Sequence, residues 1–120
     1  MTHEYVGTKI ITAWEQDKDD QPGYGVKYED GYQSWSPKAT FEAAYVSCGH
    51  IAHLPAHQQR VVAELVALDD RLDKLQRFFS TDMFNGLDAS EQTRMRMQAN
   101  AMAQYSQCLA DRIGAFGHEL

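Results

Sequence analysis

The stretch "HQQRVVAELVALDDRLDKLQRFF", residues 57–79, decides the fold. Its apolar side chains fall at Val61, Leu65, Leu68, Leu72, Leu75 and Phe79, with gaps of four, three, four, three and four residues. That is a heptad seam on one side of a helix. Pro55 stands just ahead of it, so the spacing predicts a long helix over residues 56–79. Residues 89–116 repeat the theme, with Met95, Met102, Tyr105, Leu109, Ile113 and Phe116 on one side and Gly117 as the stop. Between them "STDMFNGLDAS", residues 80–90, breaks the period with Gly86 and offers Ser80 and Asp88 as caps. Two long helices joined by a short loop form an antiparallel hairpin. One hairpin leaves Val62, Val66 and a Met-rich face uncovered, and self-association is the simplest way to bury them.

The first third reads differently. "EYVGTKIITAW" (residues 4–14) is rich in β-branched and aromatic residues, and "GYGVKYED" (residues 23–30) alternates with a two-residue period. The Asp30-Gly31 pair turns the chain into "YQSW" (residues 32–35), and "EQDKDDQPG" (residues 15–23) is a polar loop. Ser36 and Pro37 have the chemistry of a helix start, so "PKATFEAAYVS" (residues 37–47) is expected to be a short helix. The fold class is therefore α+β. Residues 1–54 form a small antiparallel sheet with one short helix, residues 55–120 the hairpin, and together they make one cooperative unit.

Composition narrows the function. The formal net charge is −6, which argues against DNA or an anionic membrane surface as partner. An anion has to be met by a local cluster. Cys48 and Cys108 lack paired spacing, and "MTHEYVGTKI" has no signal-peptide character, which reads as a reduced cytoplasmic protein with free thiols. His50, His53 and His57 in "HIAHLPAH" do not match a metal signature, and no nucleophile motif, phosphate loop or acid/base carboxylate pair stands out. No catalytic residue, metal or cofactor is assigned.

Folding the hairpin near residue 85 gathers the bases into two groups. Arg112, in line with Tyr105 and Gln98 on a face expected to be buried, comes opposite residues 56–60. Lys74 comes opposite Arg96, near Arg77 and Arg94 at the tip. Like charges so placed need an anion between them, or else Glu64, Asp111 and Asp73 neutralise them as ordinary surface pairs. Phe84 beside Asn85 in the tip loop has two readings as well. It caps the hairpin core, or it offers a platform to a nucleobase while Asn85 bonds to the base edge. The tip is roughly 33 Å from Arg112 at 1.5 Å per residue, so only an antiparallel partner chain brings the two together.

Three segments carry a resemblance across almost the whole chain: "YVGTKIITAW", "GYGVKYEDGYQSWSPKATFEAAY" and the frame "HQQRVVAELVALDDRLDKLQRFF…QYSQCLADRIGAF". Together they resemble the first-described phage anti-Thoeris sponge family, whose helical hairpin is shared with a phage anti-CBASS sponge. The resemblance implies sequestration without catalysis. Its ligand would be the cyclic ADP-ribose isomer with a ribose–ribose link made by TIR proteins. Cyclic di- or trinucleotides of CBASS systems would occupy a second site in some members. It further implies dimers, or hexamers built from three dimers, acting in the cytoplasm of the infected host. By motif, Phe84 with Asn85 at the tip, and Arg112 of "DRIGAF", fall at the ADP-ribose isomer site, with Phe79 as an alternative aromatic. Arg60 of "HQQRV" and Lys74 of "DKLQRF" fall at cyclic-oligonucleotide contacts. These two stand 14 residues apart, about 21 Å along a helix, too far for one small ligand within a chain. Two rival readings remain open: a structural or interaction hairpin without a small ligand, and an enzyme that degrades the same signals.

Overall fold

The structure, a computed structural model, describes residues 1–118. Strands β1 (Thr12–Glu15), β2 (Gly23–Lys27) and β3 (Gln33–Pro37) precede helices α1 (Lys38–Ala44), α2 (Ala56–Phe78), α3 (Asp82–Asn85) and α4 (Ala89–Gly114), and a 3-10 turn covers Phe116–His118. The expected α+β layout is present. Contacts divide the chain between Tyr45 and Val46 into two compact units.

In the first unit the strands form an antiparallel sheet in the order β1-β2-β3. Its organising feature is a pair of glycines in the central strand. Gly25 lies between Trp14 and Trp35 in register, and the Trp35 ring leans over Gly23. Each tryptophan is anchored through its indole: Trp35 Nε1 donates to the Gln16 carbonyl, Trp14 Nε1 to the Gln16 Oε1, both at 2.7 Å. Tyr24 stacks on Phe41 of α1 at 4.2 Å, Phe41 stacks on Tyr45 at 4.9 Å, and the Tyr24 hydroxyl donates to Glu42. Val26 is the buried side chain of β2.

Three sequence expectations are corrected in this unit. The first strand begins at Thr12, not near residue 4, because Thr12 pairs with Lys27, the last residue of β2. Beyond it the chain turns at Tyr28–Gly31, so residues 4–11 meet no backbone partner in the sheet. The polar loop is mostly a tight hairpin end. Lys18 and Gln21 bridge, and Asp19 and Asp20 both take positive φ, the pair of conformations that a two-residue hairpin turn demands. Ser36 is no cap: it pairs with Tyr24 inside β3, and Pro37 holds the N-cap position without a side-chain bond. The Asp30-Gly31 turn forms as expected, with Gly31 at φ 91° and the Asp30 carboxylate accepting from the Tyr32 N–H.

The second unit is the hairpin. Val61, Leu68 and Leu109 are its buried cluster, and Leu65, Met102, Ile113 and Phe116 pack against them, so the heptad seam of α2 meets the matching face of α4. Two polar bonds fix the register beside the seam. The Tyr105 hydroxyl donates to Glu64, and the Ser106 hydroxyl donates to Asp69 at 2.6 Å. Thr81, not Ser80, caps the tip: its Oγ1 accepts from the Phe84 N–H and opens the single turn α3 where a loop was expected. Asp88 caps α4 by accepting from the Glu91 N–H at 2.8 Å. That helix closes at Gly114 rather than 116. The Ala115 N–H is shared between the Asp111 and Arg112 carbonyls, the tightening common at helix ends. Among the described residues, no helix is long and apolar enough to cross a membrane.

A methyl group added at Gly25 would stand 2.3 Å from the Trp14 ring. Gly25→Ala is therefore expected to push Trp14 off the sheet and lower stability by about 1–3 kcal/mol. Thermal unfolding followed by tryptophan fluorescence checks this, and an unchanged midpoint would show that Trp14 does not depend on the gap.

Candidate functional site

The open end of the hairpin is built by the first turns of α2 and the last turns of α4. Arg60 and Arg112 are both exposed there, and neither forms an ion pair among the described residues. The carboxylates that could have neutralised them are engaged with neutral donors: Glu64 accepts from Tyr105, and Asp111 accepts from the Gln107 amide at 2.8 Å. The expectation of a buried Arg112 is corrected. The face of α4 that is covered carries Ala99, Met102, Leu109 and Ile113, with Phe116 of the following 3-10 turn packed beside them, and Arg112 stands on its flank, as do Tyr105, which is 45% exposed, and Gln98.

Tyr105 couples to this end electrostatically. Its hydrogen bond to Glu64 chiefly, then desolvation and the carboxylate's charge, raise the phenol above its ordinary value, against an opposing pull from Arg112. An arginine in the last turn of a helix is also favoured by the helix dipole, so Arg112 has a structural role available without a ligand.

At the tip the geometry differs from a simple exposed loop. Phe84 is 2% exposed. It packs against Phe79 at 4.8 Å and edge-on against Phe78 at 5.9 Å, so within one chain it caps the hairpin core. Asn85, beside it, is exposed. Sequence reasoning missed Gln92, and it placed Arg96 in the basic group at the tip without its contact to the rings. The Gln92 side chain donates to the carbonyls of Phe84 at 2.9 Å and Leu87 at 3.2 Å, and the Arg96 guanidinium lies over Phe79 and Phe84. Their spacing of one helical turn on α4, facing the Phe78-Phe79 pair, was the available signal.

Lys74, one turn from the tip end of α2, is paired with Asp70 at 2.9 Å, as Arg77 is with Asp73 and Arg94 with Glu91. The structure therefore brings Arg60 and Arg112 to one end of the hairpin, and Phe84, Asn85 and, one turn back, the paired Lys74 to the other. His50 and His53 stack on each other at 5.8 Å, and among the described residues no three His, Cys, Asp or Glu side chains gather as metal ligands would. Both cysteines are free, and burial pushes the Cys48 thiol up, which makes it less nucleophilic.

The profile of one protein family, described as Sequestin, matches residues 55–115, the whole of the hairpin. No curated protein and no solved structure matches the chain.

Because the folded-state pKa of Tyr105 is raised, its contribution to stability is present below about pH 10, the ordinary phenol value, and is lost as pH rises through the folded value. Unfolding midpoints measured from neutral to strongly alkaline pH are expected to fall less steeply for Tyr105→Phe than for the unaltered protein. Identical slopes would mean that the bond to Glu64 does not survive in solution.

Proposed function

The chain belongs to the Sequestin family, and from that premise we propose that it sequesters, without cleaving, a cyclic nucleotide second messenger. The observation that carries the reading is the pair of exposed arginines, Arg60 and Arg112, that take no carboxylate partner among the described residues at one end of an acidic protein's hairpin. Arginine suits this task, since its planar fork meets phosphate oxygens two at a time and its face stacks on a base. The ligand we propose is the ribose–ribose-linked cyclic ADP-ribose isomer of TIR signalling, held by Arg112 together with Asn85, with the buried Phe84 supporting the tip from beneath. Arg60 and Lys74, too far apart on α2 for one small ligand within a chain, serve cyclic di- or trinucleotides as different contacts. The setting is a phage-infected cell, where such binding starves a defence effector.

This arrangement requires more than one chain. Phe84 and Asn85 lie at the opposite end of the hairpin from Arg112, and α4 alone covers about 35 Å between Ala89 and Arg112 at 1.5 Å per residue. Two antiparallel copies bring one chain's tip beside the other's open end and give two pockets per dimer. Side chains outside the seam support such pairing: Met97 is 65% exposed, and Val62 and Val66 are only half-buried. Three dimers in a hexamer are compatible with the same contact. The family name denotes sequestration, and no residue is assigned a catalytic role. A ligand-free interaction hairpin draws its support from Lys74, Arg77 and Arg94, which all sit in ordinary one-turn ion pairs of little energetic weight.

Three outcomes are expected. The cyclic ADP-ribose isomer raises the unfolding temperature, because a ligand that binds only the folded state stabilises it, and heat denaturation releases it with its mass unchanged. No shift with any cyclic nucleotide favours the ligand-free hairpin, and a cleaved product an enzyme. In calorimetric titration Arg112→Ala weakens the isomer by about ten- to a hundredfold, while Arg60→Ala weakens cyclic oligonucleotides and spares the isomer; equal loss of both ligands in each variant would mean a single site. In mixed dimers of Asn85→Ala with Arg112→Ala subunits, one pocket is doubly damaged and the other intact. Two equally weakened sites would contradict the cross-chain pocket.

A further inference from the structure

The tip of the hairpin is a cation laid on an aromatic base. The Arg96 guanidinium carbon is 4.9 Å from the centre of the Phe79 ring and 5.1 Å from that of Phe84, near enough for a cation–π contact with each. One turn earlier on the same helix, Gln92 ties down the carbonyls of Phe84 and Leu87, so the backbone carrying the rings is held as well. The neighbouring bases are satisfied: Lys74, Arg77 and Arg94 each take a carboxylate within one turn. Arg96 takes none among the described residues, yet it is exposed. Its guanidinium lies over two apolar rings, and among the described residues no hydrogen bond engages its N–H donors. An arginine held this way has already lost much of its side-chain freedom, and its fork matches a pair of phosphate oxygens.

The same geometry changes what Phe84 can do. With 2% of its surface exposed, its ring is packed against Phe78, Phe79 and the Arg96 guanidinium and offers no open face to a ligand. We infer that Arg96 is the group through which the hairpin tip binds a phosphate or diphosphate, and that Phe84 acts beneath it as a positioning residue that holds the guanidinium. That the diphosphate belongs to a cyclic nucleotide rests on the sequestering function proposed above, whereas the anion site itself does not.

Phe84→Ala would empty a fully buried position and threaten the fold, so the test uses Arg96. Arg96→Gln keeps a planar polar end without charge, and Arg96→Lys keeps charge without the fork. Sodium pyrophosphate is titrated into the full chain while the arginine Nε–H signals are followed by NMR, with the Arg96 signal assigned as the one missing from Arg96→Lys. The Arg96 signal is expected to move saturably. Pyrophosphate binding should weaken at least about tenfold in Arg96→Gln, recover in part in Arg96→Lys, and stay unchanged in Arg71→Gln, a change at an exposed α2 arginine that lies over no aromatic ring. A shift confined to other arginines, or equal binding by Arg96→Gln, overturns the inference. The cyclic ADP-ribose isomer then separates the two ideas. If the unaltered protein and Arg96→Gln bind it equally, Arg96 has no part in the site and sequestration stands. If pyrophosphate binds through Arg96 and the isomer does not bind, the anion site stands and the sequestering function fails.

Discussion

Two helices that touch along a single line bury one side of each and leave every other side to solvent, and in this hairpin the line is Val61, Leu68 and Leu109, widened by Leu65, Met102, Ile113 and Phe116. Leu109 is 1% exposed and sits where α2 and α4 lie closest to complete burial. Truncating such a leucine typically costs about 2–5 kcal/mol, a large share of the stability of a small domain. The seam also dictates where everything else stands. It sets the register that Tyr105–Glu64 and Ser106–Asp69 then reinforce, and it puts the tip and the open end at opposite limits of one long element. Under the proposed function, a ligand shared by Arg112 and the tip residues therefore needs a second copy of the chain.

Charge is distributed with the same economy. The chain carries 17 acidic and 11 basic side chains, so an arginine ought to find a carboxylate easily. Along α2, Asp70 and Asp73 stand one turn before Lys74 and Arg77, the favourable order for pairs at that spacing, and they neutralise these two. Glu64 and Asp111 instead accept from Tyr105 and Gln107. Among the described residues Arg60 and Arg112 at the open end, Arg71 on α2 and Arg96 at the tip take no carboxylate. In a protein whose overall field repels anions, unpaired arginines are where an anion can be held.

The hairpin was legible because its signal is local and redundant: five consecutive heptad gaps, a proline before, and a cap at Asp88 that forms as read, whereas Gly117 did not mark the end of α4. The sheet unit was legible in kind but not in extent. Residues 4–11 have strand composition, yet β1 starts at Thr12 because β2 ends at Lys27, a limit imposed by another strand that no local pattern reports. Ser36 has cap chemistry, and pairing with Tyr24 overrides it. The same logic governs the site. Arg60, Asn85 and Arg112 emerge exposed and accessible, whereas Phe84 could be read as a core cap or as a platform until the arginine twelve residues on was seen to cover it. Heptad counting placed Arg112 among buried positions, because the contact line between two helices is narrower than the apolar stripe suggests.

The central claim is that two or more of these chains together hold an intact small signal that none holds alone. Native mass spectrometry of the protein mixed with the cyclic ADP-ribose isomer tests it most directly. The expected spectrum is an even number of 13.6 kDa chains carrying one unmodified ligand per chain. A ligand-free species at 13.6 kDa across micromolar concentrations, or an assembly from which the ligand leaves with altered mass, would contradict it.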